Sequence, residues 1–159
     1  KSMDKQKVIA IFKAGHEQFG KILQQLAPRL IGSIPVSDKW TIREVMIHIA
    51  EWYWEFVKEI DGILVDKPVV NSSDEDTFNK KAVEARKGKN IGELILEWQD
   101  SFQTLITKVE QLSDKEWSHI CKEADGKEIA VQSLFKYLEK GISHEGEHAG
   151  EIINKLKLE

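Results

Sequence analysis

Internal disulfide bonding is excluded by the cysteine count: Cys121 is alone among 159 residues, and one thiol cannot close a loop. Proline is nearly as scarce, with three residues, so few positions interrupt a helix. No apolar run approaches the roughly 18 residues that cross a bilayer, and no charged segment followed by an apolar h-region opens the chain. These absences predict a cytoplasmic protein with no membrane partner. Basic blocks are missing too. The 23 basic and 27 acidic residues, net charge −4, are mixed along the chain and form no stripe that would neutralise phosphates, so nucleic acid is not expected as a partner.

What remains is an ordinary globular composition, 41% hydrophobic and 31% charged, in a chain long enough to bury roughly 68–70% of its unfolded surface. One domain over residues 1–159 is expected. Val8, Ile11, Phe12, Phe19, Ile22, Leu23 and Leu26 recur at spacings of three and four and predict a first helix over residues 4–26. Pro28 and Pro35 predict a turn-rich connection as far as residue 39. Thr41 and Glu44 then form a capping box, behind which Ile42, Val45, Met46, Ile49, Tyr53, Phe56 and Ile60 make the stripe of a second helix. Trp52-Tyr53-Trp54 puts aromatics on more sides of that helix than one core face needs, so at least one is expected to line a pocket or a subunit interface.

Residues 62–90 are irregular, with a short extra helix predicted over 77–87 behind the acidic Asp74-Glu75-Asp76. A third helix follows over 91–112, and residues 120–129, turning at Asp125-Gly126, read as a loop or a very short hairpin. A fourth helix is predicted from Val131, carrying Leu134, Phe135, Leu138, Ile142, Ala149, Ile152, Ile153 and Leu156 inward. Gly141, Gly146 and Gly150 fall inside it at about 1 kcal/mol each relative to alanine, a cost that calls for close approach of another helix or a ligand. Four amphipathic helices without a convincing strand predict an all-α four-helix bundle, with the short extra helix between helices two and three.

The segment Ser143-His144-Glu145-Gly146-Glu147-His148 sets two histidines four apart, on one face of the fourth helix. That is a metal-ligand spacing, and a stable site needs a third protein ligand. His48, on the shoulder of the second helix's stripe, supplies one if that helix packs against the fourth. Three neutral imidazoles suit zinc, and imidazole also suits nickel, iron and copper. The competing reading is of solvated histidines on an acidic helix. His16, near the Phe12/Phe19 face, reads as a packed or solvated residue. Glu51 and Glu151, each three residues after a candidate ligand, either orient an imidazole or face water.

Other metal chemistries fit less well. His144 to His148 formally match the H-E-x-x-H of zinc proteases, but Gly150 falls one place early for the extended motif and no histidine follows in the eleven residues after His148. A di-iron carboxylate bundle needs a second Glu-x-x-His, and the residue three before His48 is Val45. Glu145 projects about 100° round the helix from His144, which argues against its serving as the acid or base.

The stretch Trp40-Thr41-Ile42-Arg43-Glu44-Val45-Met46-Ile47-His48-Ile49-Ala50-Glu51-Trp52, taken with His144-x-x-x-His148-x-Gly150-x-Ile152, resembles the DinB/YfiT-like superfamily of small bacterial four-helix bundles. The likeness spans nearly the whole chain. One departure is Glu151, where the family often has glutamine after the motif glycine. The resemblance implies a divalent transition metal, zinc or nickel above all, held by His48, His144 and His148. It further implies a metal-dependent thiol S-transferase or hydrolase, in which the metal activates a low-molecular-weight thiol cofactor or water against a small electrophilic substrate. The alternative from another class is a non-catalytic small-molecule-binding or stress-response module with the same pocket. A homodimer is expected, with Gly146 and Gly150 as a candidate seam. Metal affinity is expected to fall below about pH 6, as ordinary imidazoles protonate near 6.5.

Overall fold

A computed structural model describes residues 3–69 and 73–159. The helices are α1 Lys5–Gln25, α2 Pro28–Ser33, α3 Ile42–Leu64, α4 Glu75–Ala85, α5 Ile91–Gln111, α6 Asp114–Trp117 and α7 His144–Leu156. Strands β1 Ile120–Lys122 and β2 Glu128–Ala130 and a 3₁₀ segment Gln132–Lys140 lie between α6 and α7. The expected four-helix bundle is formed by α1, α3, α5 and α7, with α3 packed most extensively on α5 and α1 on α7. The short extra helix is α4, which starts two residues earlier than periodicity suggests because Asp74 caps it, accepting the Thr77 N–H.

Local chemistry accounts for each long helix. The Thr41/Glu44 capping box opens α3, and Asn90 with Glu93 opens α5 in the same way. Asp4 caps α1, whose buried face is Val8, Ile9, Phe12, Phe19 and Ile22. These side chains join Met46, Ile49, Leu105, Ile106, Phe135 and Ile152 in one apolar core. Phe135 is central to it, edge-on to Phe12 at 5.8 Å and stacked on Phe56 at 5.6 Å and Trp117 at 5.4 Å.

Two expectations are corrected, and one open alternative is decided. The connection after Pro28 is partly helical, because proline at the first position of α2 loses only a donor that would have been unpaired anyway. Of the loop and the very short hairpin expected over residues 120–129, the structure has the hairpin, two short antiparallel strands with Cys121 opposite Ile129. The predicted fourth helix is broken in two. Gly141 ends the 3₁₀ segment at φ +90°, a left-handed conformation that suits glycine, and Ser143 caps a new helix whose first residue is His144. Leu134, Phe135, Leu138 and Ile142 fit a period of 3.6, so the pattern alone predicts a continuous α-helix and does not reveal the break.

The close approach that the glycines demanded lies within the chain. A Cβ on Gly15 would stand 2.3 Å from Ser143 Oγ and 2.9 Å from the Gly146 nitrogen, so α1 and the first turn of α7 touch backbone to backbone. Gly150, by contrast, has open space around it and marks no tight contact within the chain. No helix among the described residues is long and apolar enough to cross a membrane.

Candidate metal centre

The capping box fixes the start of α3 and brings His48 into its second turn, 2% exposed. Ser143, which accepts the Gly146 N–H at 3.0 Å, fixes the start of α7 and so the placement of His144 and, one turn later, His148. Although α3 and α7 touch only lightly, the three imidazoles converge. His48 Nε2 lies 2.7 Å from His144 Nε2, and His148 Nε2 lies 3.2 Å from the same atom. One nitrogen from each ring falls within 4.8 Å of the others. On its far side, His48 Nδ1 lies 2.7 Å from Asn79 Oδ1. The N–H therefore sits on Nδ1 and leaves the Nε2 lone pair facing the cluster. Trp40 closes over the group, 4.8 Å from the His48 ring and 6.2 Å from that of His148.

Electrostatics keep these rings neutral. Burial, outweighing the hydrogen bond that His48 donates to Asn79, pushes His48 down to about 4, and proximity to His144 adds to the effect. His144 and His148 are likewise lowered to about 4, first by burial and then by the neighbouring histidine, against a raising influence of Glu147. The three imidazole nitrogens that face one point are potential ligands, and three neutral imidazoles suit a divalent transition ion. His48, His144 and His148 are the residues that would hold it.

The other singled-out residues go elsewhere. Glu51 pairs with Arg86 at 2.6 Å and does not orient His48; Asn79 of α4 does. Arg86 also donates to Glu97 at 2.8 and 2.9 Å, and together with Trp54 Nε1 it holds that carboxylate down to about 2. Glu151 is exposed and 3.8 Å from His148 Nδ1, beyond hydrogen-bond range. His16 is packed, sandwiched between Trp98 and Phe102 at centroid distances of 4.0 and 3.7 Å. Its Nδ1 lies 3.2 Å from both oxygens of Glu145.

Glu145 is the residue that sequence reasoning undervalued. It is 1% exposed, and it accepts hydrogen bonds from Tyr53 Oη and, at 2.6 Å, from Trp98 Nε1. As the helix angle predicts, these partners are not the other histidines of the cluster, and the occupied oxygens do not suit the free base of a zinc protease. The one sequence signal was a glutamate inside an apolar-periodic run.

Two cavities adjoin the histidines. One, of about 360 Å³, meets His144 and Glu145 and is walled by aromatic side chains that include Trp52, Phe56 and Phe78. Another, of about 300 Å³, meets His148 and is more polar, with Lys39, Asp76 and Glu151 at its edge. The expected surplus aromatic of the Trp52–Trp54 cluster is thus Trp52, tilted against Phe78 at 4.7 Å.

No curated protein is detectably similar in sequence. Solved structures are similar in fold at low identity. YfiT from Bacillus subtilis, described as a probable metal-dependent hydrolase with an unusual four-helix bundle topology, is 16% identical over 100% of this chain and 93% of its own, with a TM-score of 0.71. The colibactin self-resistance protein ClbS, solved in complex with a dsDNA, is 12% identical over 96% of this chain and 95% of its own, with a TM-score of 0.75. A mycothiol-dependent maleylpyruvate isomerase is 14% identical over 98% of this chain, with a TM-score of 0.68, but the chain spans only 61% of that protein's length. The sequence also matches the family model of the DinB superfamily over residues 11–152. On that match, and with a fold to accord with it, the chain belongs to the DinB superfamily.

Proposed function

We propose that His48, His144 and His148 hold one divalent transition metal, zinc or nickel, and that the protein is a metal-dependent transferase or hydrolase acting on a small electrophilic molecule. The observation that carries this reading is the convergence of three neutral imidazole nitrogens on one point, with the His48 tautomer set by Asn79. An ion bound there would supply Lewis acidity that favours the deprotonated form of water or of a thiol. The chain's own residues do the rest. Asn79 holds His48 in the ligating tautomer, Trp40 shields the cluster from bulk water, and the aromatic cavity beside His144 receives the substrate. A mycothiol-dependent isomerase and a described metal-dependent hydrolase of similar fold support thiol and water as the two candidate nucleophiles. The dsDNA complex of ClbS means that the fold does not exclude nucleic acid; the preference for a small molecule rests on the cavity.

The test is reconstitution of metal-free protein with zinc or nickel, followed by elemental analysis. Uptake of about one ion per chain, lost in His148→Ala, is expected, and no uptake would overturn the reading. A panel of electrophiles assayed with water, bacillithiol, mycothiol and glutathione then separates an enzyme from a binding module. Turnover abolished by His48→Ala identifies the enzyme, and binding without turnover identifies the module.

A further inference from the structure

The cavity against His144 is one-sided in its chemistry. Six of its described lining residues are aromatic, one is the aliphatic Ile49, and the charged side chains among them are two carboxylates, Glu75 and Glu145, with no lysine or arginine. Its rings are organised in pairs: Trp52 lies against Phe78 at 4.7 Å, tilted by 35°, and Phe56 lies parallel to Tyr137 at 6.1 Å and 12°. Trp52 and Phe56 are one turn apart on α3, so the two pairs form neighbouring panels of one wall. A flat ring set against such panels gains both burial and ring–ring contact.

Charge decides what the ring can carry. Glu145 is supported by the neutral donors Tyr53 and Trp98 and by His16, not by a guanidinium or ammonium group. Glu75 stands at the start of α4, where no basic residue falls in the first turn. An anionic group entering this cavity would lose its water shell, meet two carboxylates and find no fixed cation to pair with.

Building on the function proposed above, we infer that this cavity selects an apolar, ring-bearing substrate that carries no anionic group. The substrate class is therefore uncharged aromatic electrophiles, with carboxylates and phosphates discriminated against by Glu75 and Glu145.

Two near-isosteric probes test this, 1-naphthaleneacetamide and 1-naphthaleneacetate. Each is titrated by calorimetry into the metal-free chain, so that no bound ion attracts the carboxylate, and again after loading with zinc. In the metal-free chain the amide is expected to bind at least tenfold more tightly than the acetate. Phe78→Leu, which keeps apolar bulk without a ring, should weaken the amide about tenfold while the melting temperature stays near that of the parent. Glu75→Gln should narrow the gap between the probes by strengthening the acetate alone. Equal or tighter binding of the acetate, no binding of the amide, or an amide affinity indifferent to Phe78→Leu would overturn the inference. Its fate is separable from that of the metal site. Zinc uptake without amide binding defeats the substrate class alone, whereas amide binding without metal uptake defeats the metal reading and leaves the cavity's preference standing.

Discussion

His144 and Glu145 are consecutive residues of one helical turn, yet they enter two buried clusters with opposite needs. Around Glu145 the groups are complementary. One acceptor meets the hydroxyl of Tyr53, the indole N–H of Trp98 and the ring nitrogen of His16, and nothing further is required. Around His144 the groups are alike. Three ring nitrogens face one another, and two of them, on His48 and His144, are 2.7 Å apart. The Arg86 cluster, where one cation meets Glu51 and Glu97, belongs to the first kind. The comparison separates polar burial that closes on itself from polar burial that, on the function proposed above, is completed by a cation.

The largest effect that would sharpen this contrast is metal-dependent stability. At a free metal concentration about 1,000 times Kd the ligand should add about 4 kcal/mol to unfolding. In calorimetric melts that increment should appear in the parent and vanish in His144→Ala, while the metal-free forms of the two proteins melt within a few degrees of each other. Glu145→Ala should behave in the reverse way. Removing the carboxylate strands the buried donors of Tyr53, Trp98 and His16, at about 2–4 kcal/mol, so the metal-free chain itself should lose stability in urea titrations. If His144→Ala is the more damaging change in metal-free protein, the contrast fails.

Smaller effects refine it. Asn79→Ala removes the acceptor that orients His48 and should weaken zinc binding about 10–100-fold in competition titrations, and it should also lower metal-free stability by about 1–3 kcal/mol because the buried His48 N–H loses its partner. The pH dependence follows from burial of the rings. Because His48, His144 and His148 are lowered from 6.5 to about 4, the unfolded chain takes up protons between those values and the folded chain does not. Metal-free stability should therefore be full above pH 6.5 and fall as pH drops toward 4, by up to about 1.4 kcal/mol per pH unit for each ring that stays neutral. By the same shift, proton competition with the metal should set in nearer pH 4 than the value of 6 that unperturbed imidazoles imply. The smallest expected effect is that of Glu151→Gln, within about 0.5 kcal/mol in either stability or affinity, since its carboxylate is exposed and out of hydrogen-bond reach of His148.

Much of this was legible in the sequence, and the remainder was hidden for identifiable reasons. The capping box at Thr41, the stripes of α1, α3 and α5 and the i, i+4 histidines are local signals, and they placed the bundle and the three converging imidazoles. Asn79 was not visible, because nothing in a short acidic helix says which of its polar residues turns inward. His16 and Glu145 are 129 positions apart, so their pairing depends on the packing of α1 on α7 and not on any local pattern. The break at Gly141 escaped detection because the apolar spacing runs through it at the period of an α-helix, although Ile142 ends up 40% exposed. Gly15, which permits the tight seam, drew no notice beside the three glycines of the later segment.

That seam also determines how the molecule transmits error. With a would-be methyl group at residue 15 only 2.9 Å from the Gly146 nitrogen, the two backbones rest on each other with only the short Ser143 side chain beside them, and a displacement of α1 has little soft contact in which to dissipate. His144 is the first residue of the helix seated there, so it inherits that displacement in full. A change at Gly15, on a helix that contributes none of the three imidazoles, would then register as a misaimed ring at residue 144 before it registered as a loosened core.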